Sequence, residues 1–134
     1  MTRRLTLATF LLIAAAGMAQ DQAYADCVLK TSSTWGAPCE HCQHYVDGYK
    51  RDFSGTYQLE LKNTCNEVIE VKVAVQEKNG TWRTFPVRAL GANEAMNAFA
   101  CEGSGKYLYW ARRANDHEII LPTDRDIITA YTGK

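Results

Sequence analysis

The stretch "EVIEVKVAVQEKNGTWRTFPVRA", Glu67 to Ala89, decides the fold. Ile69, Val71, Val73 and Val75 alternate with Glu70, Lys72 and Gln76, the period of two that gives a strand one apolar face and one polar face. "KNG" then turns the chain. A two-residue Asn79-Gly80 loop would set Val73 opposite Pro86 and Val71 opposite Arg88, mixing the faces. A three-residue Lys78-Asn79-Gly80 loop, with Gly80 left-handed, sets Val73 opposite Phe85 and Val71 opposite Val87. The second register matches apolar to apolar and is the one expected, with Pro86 marking an edge position or a bulge.

The same period extends to either side. "TYQLELKN" puts Tyr57, Leu59 and Leu61 on one face and Gln58, Glu60 and Lys62 on the other. "KYLYWARRA", from Lys106, carries aromatic residues on both faces and reads as a central strand. "LGANEAMNAFAC" fits a strand or a helical turn, and "HEIILP" and "DIITAY" read as two short final strands divided by Pro122-Thr123-Asp124. No long amphipathic helix is visible. The pattern predicts an all-β fold, a small antiparallel sandwich or barrel of roughly six to seven strands.

The first residues, "MTRRLTLATFLLIAAAGMAQDQAYA", place Arg3 and Arg4 before an apolar run and end in Ala23-Tyr24-Ala25. This is the order of a secretory signal peptide, 1–25, cleaved after Ala25, and it implies a periplasmic or secreted protein. The paired arginines also fit a twin-arginine signal, so the export route stays open. Asp26 stands where a lipid-anchor signal needs a small residue, so no anchor on Cys27 is expected. No other apolar run is long enough to span a bilayer. Residues 26–54 read as an irregular Cys/His-rich arm and 55–134 as the sandwich core, one domain together.

The 134 residues carry 15 Lys and Arg against 15 Asp and Glu. That balance, with no basic run, argues against nucleic acid or an anionic membrane as the main partner. All five cysteines follow the signal and meet an oxidising compartment, so disulfides are the default and the odd cysteine needs a role.

Within the arm, "WGAPCEHCQHY" holds the richest chemistry. "CEHC", Cys39 to Cys42, resembles the C-x-x-C active sites of thioredoxin-like oxidoreductases, which implies Cys39 as attacking thiolate beside His41. The stretch Asp26 to Pro38 is too short for the strand and helix that precede the motif in that fold. Cys39, His41, Cys42 and His44 together also offer donors for zinc or copper, though no second C-x2-C or H-x3-5-H follows. The third reading is a disulfide framework: Cys65 with Cys101, both at strand ends, and Cys27 with Cys39 or Cys42. One cysteine of the arm is then left free, exchangeable or available for dimerisation.

Other candidates are weaker. His117 lies beside Asp116 and Glu118 with no nucleophile motif near it, and reads as a surface strand histidine. Glu67, Glu70 and Glu77 read as a solvated outer face. Trp82, Tyr107, Tyr109 and Trp110 offer an aromatic platform for sugar or peptide, with Trp110 or Tyr109 expected in the core. "CEGSGKY" is similar to the S-G-x-x-Y loop of periplasmic lysozyme inhibitors of the small β-barrel type, one residue shorter, which implies contact with a partner through Ser104, Lys106 and Tyr107.

The function expected from the residues is binding without catalysis or cofactor. The partner would be another protein or a cell-envelope component, met by the arm, the Ser104 to Tyr107 loop and Trp82. The alternatives are a metal-binding protein using the arm's Cys and His residues with zinc or copper, and a thiol-disulfide oxidoreductase using Cys39 and Cys42.

Overall fold

A computed structural model describes residues 24–134, so the expected signal peptide lies outside the described residues except for Tyr24 and Ala25. The chain forms the antiparallel sandwich that its period of two predicts, and the sheets do not close into a barrel. A 3-10 turn, Ala25–Cys27, leads into β1 (Val28–Trp35), and two short strands follow, β2 (Tyr45–Val46) and β3 (Lys50–Arg51). Then come β4 (Tyr57–Asn63), β5 (Ile69–Glu77), β6 (Trp82–Thr84), β7 (Arg88–Leu90), β8 (Ala95–Ala100), β9 (Gly103–Arg113) and the helix α1 (Asp124–Tyr131). The first sheet has the order β1-β4-β8; in the second, β5 pairs with β6 and β7 along one edge and with β9 along the other.

The core lies between these sheets. Tyr57, Leu59 and Leu61 of β4 and Met96, Ala98 and Ala100 of β8 face Ile69, Val71, Val73 and Val75 of β5, with Leu90 and Ala111. Ile69, Val71, Val73 and Val75 of β5 are all fully buried, so truncating one to Ala removes about 2–4 kcal/mol of packing.

The decisive hairpin has the expected three-residue loop. Ala74 lies opposite Thr84 and Gln76 opposite Trp82, Phe85 donates its N–H to the Val73 carbonyl, and Gly80 has φ +92°. Beyond Pro86 the register slips by one, so Val71 lies opposite Arg88 rather than Val87. Proline has no N–H to give, the ladder breaks there, and Val87 turns to solvent.

Five further expectations are corrected. The arm is not irregular throughout: Val28–Trp35 is a strand, because its residues complete the open edge of β4. β9 is an edge strand and β5 the central one. "DIITAY" belongs to a helix, not a strand. Thr123 and Asp126 exchange side-chain-to-backbone hydrogen bonds in a capping box that starts α1, and Ile127 buries against Trp82 and Trp110. That helix lies over the outer face of the second sheet, so Lys72, expected outward in water, is buried against Asp124; Gln76, also expected outward, is buried and accepts from the Ser104 hydroxyl. His117 stands exposed in a turn after β9, not on a strand.

Candidate functional site

The site is built around two disulfides. Cys27 pairs with Cys65 and Cys42 with Cys101; Cys39 is free and buried. The expected Cys65–Cys101 bridge is therefore not formed, and neither is a bridge from Cys27 into the "CEHC" motif. The reason is the strand that sequence reading missed. β1 runs antiparallel to β4 with Val28 opposite Asn63, which sets Cys27 beside the residues that follow β4. Thr64 donates its backbone N–H and its hydroxyl to the Cys27 carbonyl, fixing that approach. Cys101, at the corner between β8 and β9, then takes Cys42 of the arm.

That corner is tightly held. Gly103 leaves it, and a Cβ there would lie 2.6 Å from Cβ of Tyr57, so only glycine lets β9 pass this close to β4. Glu77, expected to be solvated, is half-buried and its carboxylate accepts from the backbone N–H groups of Cys101 (3.3 Å) and Glu102 (2.9 Å) and from Nε of Arg83 (3.1 Å). Arg83 in turn lies over the Phe99 ring at 4.9 Å, with Nη2 3.7 Å from Sγ of Cys101. A guanidinium beside a disulfide sulfur favours the thiolate that reduction would release. Glu67 and Glu70 are likewise paired rather than free, with Arg113 (2.8 Å) and Arg112 (2.7 Å).

Of the four arm donors, the structure brings two to the corner. A ring nitrogen of His44 and the sulfurs of Cys42 and Cys101 all lie within 4.8 Å of one another. Nδ1 of His44 is 3.4 Å from a carboxylate oxygen of Glu102, and Nε2 is buried with no hydrogen-bond partner. His41 instead stacks on Phe99 at 5.2 Å, and Cys39 lines a shallow recess of about 340 Å³ with His41, Gln58 and Phe99. The Cys39–Cys42 dithiol of the oxidoreductase alternative is thus absent, because Cys42 is bonded to Cys101.

No family model, no curated protein and no solved structure matches this chain. What it does must be argued from its own residues.

The expected binding residues are partly together. Lys106, Tyr107 and Trp82 line one groove of about 350 Å³ with Gly105, Leu108 and Tyr131. Trp82, however, is buried under α1, with its Nε1–H donated to the Tyr131 carbonyl, and Trp110 is buried beside it; both belong to the core and offer no platform. Tyr107 and Tyr109 are half-buried and stacked at 6.2 Å. Ser104 donates to Gln76 (2.6 Å) and Nζ of Lys106 donates to the Lys134 carbonyl (3.0 Å), so both are engaged within the chain.

Sequence reading missed the most exposed aromatic group. β2 and β3 form a hairpin that turns at Asp47-Gly48, both left-handed at φ 57° and 79°. An Asp-Gly pair between "HYV" and "YKR" was the signal available for it. Trp35, Tyr45 and Tyr49 are 53%, 53% and 91% exposed. The hairpin is closed by the Asp52 N–H on the His44 carbonyl at 3.0 Å, and the Ser54 backbone N–H and hydroxyl hold the Asp52 carboxyl below its usual range.

Proposed function

We propose that this chain is an exported, non-catalytic binding protein that holds a partner protein at the arm end of its sandwich. The observation that carries the reading is that the arm is joined to the Cys101 to Tyr107 segment, which is distant in sequence. Cys42–Cys101 ties them covalently, and Trp35 lies against Gly105, where an added Cβ would be 3.2 Å from its ring. Trp35, Tyr45 and Tyr49 of the arm are exposed, with the Arg51 guanidinium 6.0 Å from the Tyr45 ring. Trp, Tyr and Arg on a braced backbone are the residue types that dominate protein interfaces, because they bury much area for little lost freedom. Export is supported by the signal-like start and by two disulfides, which persist in oxidising compartments.

The test is photo-crosslinking in the intact cell envelope with a benzophenone amino acid placed at Tyr49 or, as control, at Thr129 on the exposed face of α1. The reading predicts a discrete protein adduct from position 49, lost on adding Trp35→Ala, and none from position 129. Equal crosslinking at both positions, or none at 49, contradicts it.

A further inference from the structure

We infer that the Cys42–Cys101 disulfide masks a metal site, and that its reduction exposes two thiolates and one imidazole able to take a Zn²⁺ ion. This goes beyond partner binding and does not depend on it. The donor set differs from the one legible in the sequence: Cys101 replaces Cys39, and His41 has no part.

Three independent features converge on it. The sulfurs of Cys42 and Cys101 and a nitrogen of His44 already lie within 4.8 Å of one another. Two thiolates on one zinc stand about 3.8 Å apart, given Zn–S distances near 2.3 Å in tetrahedral geometry. Cysteines whose Cα atoms are 5.5 Å apart reach that spacing by side-chain rotation alone. Second, Nε2 of His44 is buried with no partner, an unmet polar atom that costs free energy until something ligates it. Third, Glu102 faces Nδ1 at 3.4 Å; a proton held there leaves the lone pair on Nε2, the carboxylate–histidine arrangement that orients imidazoles toward zinc. Cysteine thiolates with one imidazole suit zinc, with the fourth position left to water.

The chemistry balances in two steps. A dithiol reductant attacks the disulfide and becomes a disulfide itself, and Cys42 and Cys101 each gain one electron and one proton. Zn²⁺ then displaces both thiol protons, giving two Zn–S bonds and one Zn–N bond. The guanidinium of Arg83 beside Cys101 favours the sulfur leaving as thiolate in the first step.

The experiment uses a Cys39→Ser variant, so that Cys39 cannot contribute, with a phosphine reductant that binds zinc weakly. Thermal unfolding is followed by circular dichroism with and without equimolar Zn²⁺, before and after reduction. A metal bound by the folded state raises the midpoint, whereas one bound only by the unfolded chain lowers it. The expected result is a rise in the reduced protein, none in the oxidised protein, and loss of at least tenfold in Zn²⁺ affinity in reduced protein that also carries His44→Ala. Cys27→Ala with Cys65→Ala, added to the same variant, confirms that the rise comes from the remaining pair. A reduced protein whose midpoint Zn²⁺ leaves unchanged or lowers overturns the inference, as does an affinity that survives His44→Ala.

Discussion

Lys72 shows how one residue departs from its sequence reading. Its place in the period of two sends it outward, and outward here means under α1, where its side chain is only 5% exposed and pairs with Asp124, itself 64% exposed. The Lys72 ammonium and the Thr84 hydroxyl hold the Asp124 carboxyl below its usual range. Removing the acid strands a buried cation, whereas removing the cation frees a carboxylate that reaches water. Asp124→Asn is therefore expected to destabilise more than Lys72→Met, by about 1–2 kcal/mol, well under the 3–5 of a fully buried pair because Asp124 is solvated. Denaturant melts of the two variants check the order; equal losses would contradict it. Glu77 was illegible for a similar reason. Its strand position was correct, but its partners are backbone groups of Cys101 and Glu102, which only the folded corner brings within reach.

At the scale of elements, the period of two located β4, β5 and the hairpin loop because each has one strongly apolar face. It failed at α1, where "DIITAY" is short enough to fit either period. The deciding signal was local: Thr123 and Asp126 at the spacing of a capping box, just after Pro122. The same residues predict a pH response. The Thr123 backbone N–H and hydroxyl hold the Asp126 carboxyl below its ordinary 3.8, and Lys72 does so for Asp124. A lowered carboxylate contributes stability that is complete above the unfolded value and is lost as pH falls through the folded one. Acid below about pH 4 should therefore loosen α1 before the core between the sheets, since the buried residues among those described include no carboxylate. Tryptophan emission should shift red as Trp82 and Trp110 lose their cover, ahead of the loss of β-sheet circular dichroism. Simultaneous loss of both signals would contradict this.

For the whole molecule, the sandwich was legible and the disulfide pattern was not. Sequence spacing placed Cys65 and Cys101 at strand ends, which is where they are, but pairing depends on which strands are neighbours. Once β1 lies beside β4, Cys27 meets Cys65, and Cys101 is left for the arm. The bridges span 38 and 59 residues, and in the chain-entropy model each contributes about 4 kcal/mol, a large share of what holds a domain this small. The second also joins the arm to the corner of β8 and β9, and both the proposed binding surface and the masked metal site depend on that join. The most direct test is mass-spectrometric mapping of disulfide-linked peptides from protein exported in the oxidised state, alkylated before digestion under non-reducing conditions. The account predicts Cys27 linked to Cys65, Cys42 linked to Cys101, and Cys39 alkylated once the protein is unfolded; a Cys65–Cys101 or Cys39–Cys42 linkage would contradict it.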